Sequence, residues 1–462
     1  MSESTQLNRT NAAAVVTAAP APARLVHLGL GAFHRAHQVW YTQKAEANPE
    51  APEWGYVSFT GRRPTMAEAL APQDGLYTLV TRSGEGDVPE LINALVEAQP
   101  ATNIERLIEL MADPQVAVVS LTVTESGYHL DAAGELNGSD AAVQDDIAML
   151  TSGSKVTALA TAAGKIIHGL EARRAADVGG LAVMSCDNIA ANGETTRASI
   201  LGMADKVDAE LAAWIREHVS FPSTSIDRIT PATEAALILD VEKQTGFHDG
   251  APVVAEPFAS WIIEGEFPAG RPNWENSGVQ FVDDIEHFER RKLWLLNGSH
   301  SLMAYYGQLL GHTTVADAIA DDQCRARVES LWDEAAQHLT VEELNVAQYR
   351  KQLIERFENP RIVHNLAQIA IDGATKQRMR AVPILKSELE TGRSGSGAAF
   401  SIAAWIAFVL GTEEIRDTRV DEIIVAKQQD DVVKALIAVL DTDLAQNDAV
   451  VELIRTQVGQ LV

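Results

Sequence analysis

The chain has 462 residues, enough for two or three domains with ample core, and 46% of them are hydrophobic. Its 64 acidic against 37 basic residues leave a formal charge of −27, a field that repels nucleic acid phosphates and anionic membrane surfaces and makes any acidic substrate depend on a local basic pocket. No apolar run approaches the ~18 residues of a membrane span, and Cys186 and Cys324 form no Cys-x-x-Cys pair, which argues against a disulfide framework or a thiolate metal cage.

Together these features predict a soluble, cytoplasmic protein without nucleic-acid or membrane partners. Residues 1–23 read as a loose N-terminal arm, because Arg9 is the only basic residue ahead of a mild apolar run and polar residues dominate the first dozen, unlike a secretion signal.

The first ordered element is a strand over Arg24–Leu28, running into Gly29-Leu30-Gly31 and a helix from about Phe33 to Ala47. A strand, a glycine turn and a helix start make a dinucleotide-binding unit, in which the amides around Ala32 and Phe33 receive a pyrophosphate. Gly29 allows the tight turn, and Gly31 lets the phosphate approach the backbone. The third glycine of the general fingerprint is missing, since the chain continues Ala32-Phe33-His34, and read alone the pattern competes with an ordinary turn.

A second strand is predicted over Trp54–Thr60, ending where an acidic residue normally holds the adenosine ribose hydroxyls. Arg62 and Arg63 stand there instead. Two guanidiniums suit a ribose 2′-phosphate, can stack on adenine, or simply face water.

Leu76–Thr81 and Glu90–Glu97 read as strands flanking the loop 83–87, followed by a helix with Ile104, Leu107, Ile108 and Met111 on one face. The apolar runs Val116–Val123 and Leu181–Ser185 fit strands buried on both faces of a parallel sheet. They deliver Thr124-Glu125 and Cys186-Asp187-Asn188 to the carboxyl edge, where ligands bind in open α/β sheets, although Asp187-Asn188 equally suits an Asx-type turn. Residues 221–231 have no regular period and read as a site-lining loop, in which Asp227 and Arg228 suit the site or an ordinary surface ion pair.

From about residue 286 the texture turns helical, with candidates over 324–339, 341–357, 361–372, 401–409 and 431–441 and N-cap signals at Thr340 and Asp430. The boundary near 285 gives an α/β, Rossmann-type dinucleotide-binding domain over 24–285 and an α-helical catalytic domain over 286–462, with the active site expected in the cleft between them. Residues 394–398 read as a flexible Gly/Ser loop. No repeat is apparent, and His34, His37, His300 and His312 are too scattered for a zinc ligand set, so no metal is expected.

The second domain opens on Glu289–Tyr306. Read as an α-helix at about 100° per residue, it places Lys292 at roughly 0°, Glu289 near 60°, His300 near 80° and Asn297 near 140°. An amine, an amide, an imidazole and a carboxylate then share one face of an apolar helix. A lysine pressed against apolar neighbours has its pKa lowered and can act as a base, with Asn297 and His300 holding the oxygen on which it works. The competing reading is that Asn297-Gly298 ends the helix and leaves Lys292 on a solvated end.

Residues 292–301, Lys-Leu-Trp-Leu-Leu-Asn-Gly-Ser-His-Ser, resemble the signature of the polyol-specific long-chain dehydrogenase family, which includes mannitol 2-dehydrogenase, arabinitol dehydrogenase and fructuronate reductase. Residues 28–37, 120–128, 185–193 and 221–231 resemble the same family in the same order, and 256–258, 269–272 and 372–376 do so more loosely.

The resemblance implies zinc-independent, reversible oxidation of a polyol secondary alcohol to a ketose, with D-mannitol and D-fructose as the leading pair and a hexuronate or arabinitol as alternatives. It implies Lys292 as the base and Asn297 with Asn188 as donors to the developing oxyanion. It also implies His300 as the residue holding an adjacent hydroxyl, and Glu289 as a gate for proton exchange. Gly29, Gly31, Ala32, Phe33, Arg62, Arg63, Thr124 and Glu125 become cofactor-binding candidates, and Asp227, Lys376, Arg380 and Glu289 substrate-binding ones. Arg378 and Arg380 suit a carboxylate held bidentately or ordinary solvated positions.

The family's commoner cofactor is NAD, and the arginine pair adds the expectation that NADP is accepted. The expected partner is a small polyol or ketose, with the protein a monomer or weak homo-oligomer. A non-catalytic nucleotide-binding protein on the same fold is the rival from another class, and the intact lysine, asparagine and histidine argue against it.

Overall fold

In the first of the chain's two units, Met1–Ile285, six short apolar runs form parallel strands: β1 (Ala23–Leu28), β2 (Gly55–Phe59), β3 (Leu95–Gln99), β4 (Val118–Leu121), β5 (Leu181–Ser185) and β6 (Val219–Ser220). The structure, a computed structural model, describes residues 5–412 and 414–462. The strands lie in the order β3-β2-β1-β4-β5-β6, the doubly wound arrangement of a dinucleotide-binding sheet. Both faces are covered, which is why the strands read as continuous apolar runs. Leu25, Tyr56, Val118 and Ala182 enter one core with the first helix, while Val26, Val57, Val119 and Val183 enter the other with helices Ile104–Met111, Ala162–Ala175 and Asn192–Val207.

Smaller sheets decorate this one. Strands Tyr77–Ser83 and Gly86–Ile92 pair antiparallel, and Val253–Ala255 joins the first of them. The run expected as one strand over Glu90–Glu97 is therefore two, separated at Asn93-Ala94, because its halves pair with different sheets. Residues 221–231 are also not a loop: Ser223–Asp227 pairs antiparallel with Ser260–Glu264, placing Thr224, Ser225 and Ile226 in the interior. The N-terminal segment is not a loose arm over its described part. Thr5–Gln6 pairs with Phe247–His248, and Leu7 and Ala12 are buried beside Leu76.

The second unit, Glu286–Val462, is helical, with only an isolated bridge between Thr314 and Asn365 among its described residues. Its centre is the helix Ser396–Gly411, apolar on all sides and packed against Asp322–Ala336, Ala381–Glu390 and Asp448–Val458. The 394–398 stretch is not a flexible loop but the start of this helix. Gly395 takes φ +61, and a Cβ on Gly397 would lie 2.8 Å from the Ser330 carbonyl oxygen. The Glu334 carboxylate accepts the Gly397 and Ala398 amides at 2.8 Å each.

Of the other helix expectations, 361–372 shrinks to Leu366–Ile369, and Asp431 rather than Asp430 caps Val432–Leu440. Thr340 lies one residue ahead of Val341, the N-cap of the short turn Glu342–Leu344. No helix among the described residues is long and apolar enough to cross a membrane.

Candidate active site

β1 runs into Gly29, whose φ of +117° is open to glycine alone, and a Cβ there would lie 2.0 Å from the Thr122 carbonyl oxygen just past β4. The Gly29 and Leu30 amides donate to the Phe59 carbonyl, fixing the turn against β2. Gly31 then stands at the N-cap with no capping side chain, so the amides of Ala32 and Phe33 open the helix without intrahelical partners. An open first turn at the point where strand order reverses suits a pyrophosphate.

The missing third glycine has a structural substitute. His34 occupies that position, lies flat on His27 at 3.4 Å between ring centroids and bonds Ser58 Oγ at 2.9 Å. His27 in turn meets Ser120 Oγ at 2.8 Å and Thr122 Oγ1 at 2.9 Å. Burial depresses both imidazoles, His27 to about 3 and His34 well below its ordinary value, with the mutual repulsion of the pair adding to His34. The helix continues as a wider-wound π segment over Arg35–Val39 before returning to α over Trp40–Ala45. Arg35, also buried, reaches the Ala251 carbonyl, and its own carbonyl accepts the Tyr77 hydroxyl at 2.6 Å.

Arg62 and Arg63 are exposed just past β2, and the chain there carries no acidic residue. At the neighbouring edge Thr124 and Glu125 are exposed, and Asn188 is exposed in the loop after β5. Asp187 is buried and spans the two loops, accepting the Val123 amide at 3.0 Å, the Thr124 amide at 2.9 Å and the Tyr128 hydroxyl at 2.6 Å. Its side chain thus serves the neighbouring loop and not the Asx-type turn considered for it. Asp227 ends its strand half-buried. Arg228 is no surface residue: it is buried over the Trp40 ring, donates to the Ala36 and Glu256 carbonyls, and is pushed down to about 10 by desolvation.

In the second unit the signature stretch departs from the expected α-helix. Glu286–Arg291 is α, Lys292–Asn297 is π, Gly298–Leu302 is α and Met303–Gly307 is π again. Asn297-Gly298 does not end the helix, since both residues keep right-handed helical dihedrals. In a π turn, residues five apart stand one turn above each other. Lys292 and Asn297 therefore come closer to one line than the roughly 140° that an α-helix would put between them, with His300 on the next α turn.

The wide turn is satisfied by its neighbours. Trp332 Nε1 donates to the Leu295 carbonyl at 2.9 Å, and Arg380 Nη1 donates to the Asn297 carbonyl at 3.0 Å and Ser301 Oγ at 2.8 Å.

Lys292, Asn297 and Glu289 are half-buried and His300 is buried. The His300 imidazole is held well below its usual range by burial first, then by His364, Arg356, Arg380 and Lys376. Its ring lies 4.9 Å from that of His364 and 5.2 Å from Phe357. Lys376 donates to the Ile369 carbonyl at 2.9 Å and is lowered by burial and then by Arg380, which burial itself brings to about 10. Arg378 is exposed, 3.4 Å from the Val439 carbonyl, so the expected Arg378 and Arg380 pair does not share one environment.

Asp187, His364 and Arg356 join the candidate residues from the structure. Asp187 shows only as part of an ambiguous loop pair in the sequence, and nothing in the spacing of the other two marks them. No group of three or more His, Cys, Asp and Glu side chains among the described residues is placed to hold a metal ion.

The sheet order, the glycine turn and the lysine-bearing helix define a dinucleotide-binding α/β protein with a helical second domain. Residues 23–276 match the mannitol dehydrogenase Rossmann domain and 284–462 the mannitol dehydrogenase C-terminal domain. The chain is 38% identical over 399 residues to the D-mannonate oxidoreductase of Escherichia coli, covering 85% of this chain and 81% of the relative. It is 37% identical over 396 residues to the mannitol 2-dehydrogenase of Cereibacter sphaeroides, covering 84% and 81%. A solved structure of Pseudomonas fluorescens mannitol 2-dehydrogenase, a ternary complex with NAD and D-mannitol, superposes with a TM-score of 0.77 at 31% identity over 99% of this chain and 97% of that one. The chain belongs to the mannitol dehydrogenase family, and it is an oxidoreductase of the polyol dehydrogenase type.

Proposed function

We propose that the protein catalyses reversible, NAD(P)-dependent oxidation of a secondary alcohol of an acyclic polyol, with D-mannitol and D-fructose as the reference pair. The observation that carries this reading is the π segment of the signature helix, which brings Lys292 and Asn297 closer to one line than an α-helix would, one turn ahead of the buried His300, whose imidazole is held well below its usual range. The dinucleotide, held at Gly29, Gly31, Ala32 and Phe33, supplies a hydride acceptor. Lys292, as the free amine, takes the hydroxyl proton, and in the reverse direction its ammonium form returns it. The Asn297 amide, with that of Asn188, donates to the oxygen as charge develops on it. His300, uncharged and restricted by the His364 and Phe357 rings, orients the adjacent hydroxyl. Glu289, one turn before Lys292, exchanges the proton with water.

A second reading, a hexonate substrate oxidised to a hexuronate, is favoured by one observation: Arg356, Lys376, Arg380 and His364 gather around His300 in a chain that is otherwise strongly acidic. Similarity to both a mannitol 2-dehydrogenase and a D-mannonate oxidoreductase supports the shared chemistry without choosing between the two. Reduced cofactor formation at 340 nm with D-mannitol, D-arabinitol, D-sorbitol and D-mannonate decides. Turnover led by mannitol supports the first reading, turnover confined to mannonate establishes the second, and no turnover with any acyclic polyol or hexonate refutes both.

A further inference from the structure

Thr124 is a β-branched residue at φ +67° and ψ 163°, a conformation that glycine takes freely and other residues take only under strain. Such strain persists only where the surroundings impose it, and here the Asp187 carboxylate does so together with the turn in which the Gly127 amide donates to the Thr124 carbonyl at 2.9 Å. Asp187 Oδ1 accepts the Thr124 amide at 2.9 Å, while Oδ2 accepts the preceding Val123 amide at 3.0 Å and the Tyr128 hydroxyl at 2.6 Å. Two successive amides therefore converge on one buried carboxylate. The carboxylate is itself braced: the Asp187 amide donates to Ser185 Oγ at 3.2 Å, Ser185 Oγ lies 2.6 Å from the Tyr128 hydroxyl, and Asn192 Nδ2 donates to the Asp187 carbonyl at 3.0 Å.

What this bend holds in place lies two residues upstream. Thr122 Oγ1 donates to the Gly29 carbonyl at 2.9 Å, and the Thr122 carbonyl is the atom that fills the space a Gly29 Cβ would need. The end of β4 thus lies against the glycine turn, where the Thr122 amide also donates to the Leu28 carbonyl at 2.9 Å, and the chain then bends sharply at Thr124. On the other side of the clamp, Asn188 follows Asp187 directly.

We infer that Asp187 is a positioning residue for the dinucleotide, holding the loop after β4 in a strained form that keeps Thr122 against the Gly29 turn. The inference rests on the reading of the glycine turn as the nucleotide site. Without the carboxylate, Thr124 relaxes to a negative φ, the Val123–Thr124 peptide swings, and the fit of Thr122 against Gly29 loosens.

The test measures Asp187→Asn in two backgrounds. The amide keeps one acceptor oxygen but opposes the second backbone N–H with another donor. Binding of whichever of NADH or NADPH the unmodified protein takes up is titrated by fluorescence without substrate, alongside thermal melting. Asp187→Asn is expected to raise the nucleotide Kd at least tenfold in the native background, but no more than about twofold in a Thr124→Gly background, because glycine adopts the bend unaided. Comparing within each background cancels whatever the Thr124 side chain itself gives to binding. Thr124→Gly alone is expected to raise the melting temperature by relieving the strain.

If the factors in the two backgrounds differ by less than threefold, or if Asp187→Asn binds as the native protein does, the inference fails. Should Asp187→Asn not yield folded protein, recovery of a cooperative melt on adding Thr124→Gly supports the clamp, and no recovery overturns it. If the native protein binds neither nucleotide, the reading of the glycine turn fails instead, and the melting comparison across the same variants still decides whether Asp187 imposes the strain.

Discussion

Lys292 carries the proposed proton transfer, and its removal separates chemistry from binding. Lys292→Ala is expected to lower kcat by about 10²- to 10⁴-fold, the usual worth of a positioned general base, while nucleotide Kd stays near the native value because the glycine turn belongs to the other unit. Near-native turnover in this variant would remove the base from the mechanism.

Arg62 and Arg63 raise the cofactor question. Their place past β2 lacks the carboxylate that would repel a 2′-phosphate, so both NAD and NADP are expected to be used. One guanidinium–phosphate contact is worth about 1.5 to 3 kcal/mol, or roughly one to two decades of affinity. The ratio of kcat/KM for the two cofactors in Arg62→Ala and Arg63→Ala is expected to shift towards NAD by that factor. If neither variant changes the ratio, both arginines are ordinary solvated residues.

At the scale of elements, the strands at the heart of the first unit were legible because burial on both faces leaves uninterrupted apolar runs, as in 116–123 and 181–185. The carboxyl edge followed from them. What stayed hidden depended on partners far along the chain. Ser223–Asp227 is a strand because Ser260–Glu264 lies beside it, and no local period reports that. The π segments at Arg35–Val39 and Lys292–Asn297 were equally invisible, since neither Arg-Ala-His-Gln-Val nor Lys-Leu-Trp-Leu-Leu-Asn carries a pattern that separates an α turn from a π turn. Their wide turns are held by Tyr77 and Trp332 from elsewhere.

The glycine- and serine-rich start of the central helix misled for a related reason. Small residues there serve a close approach to Ser330 rather than mobility. Glu334 is the corresponding support: Glu334→Ala leaves the Gly397 and Ala398 amides unpaired in a partly buried setting and is expected to lower unfolding free energy by about 1 to 3 kcal/mol. Urea unfolding would refute the cap if it found the variant as stable as the native protein.

For the whole molecule, buried imidazoles set an acid limit on stability. His27, depressed to about 3, and His34 and His300, well below 6.5, are neutral when folded and take up protons readily once unfolded. Between about pH 3 and 6.5 the unfolded chain thus binds more protons, so stability rises with pH and is lost as pH falls below about 6.5. Each such group withdraws up to about 1.4 kcal/mol per pH unit. Unfolding free energies measured at pH 7, 6 and 5 are expected to fall more steeply than a single histidine allows, and a flat profile across that range would count against three neutral, buried imidazoles.

The position of β1 has a consequence for how the protein is made. It is the earliest strand of the sheet to leave the ribosome, yet it lies in the middle, flanked by β2 and β4. Roughly ninety residues of synthesis separate its completion from the arrival of β4, about 5 to 18 s at bacterial-like elongation rates. During that interval an apolar strand has one open hydrogen-bonding edge and no settled partner on it, so the nascent chain is exposed to misassociation before its helical second unit has begun to be translated.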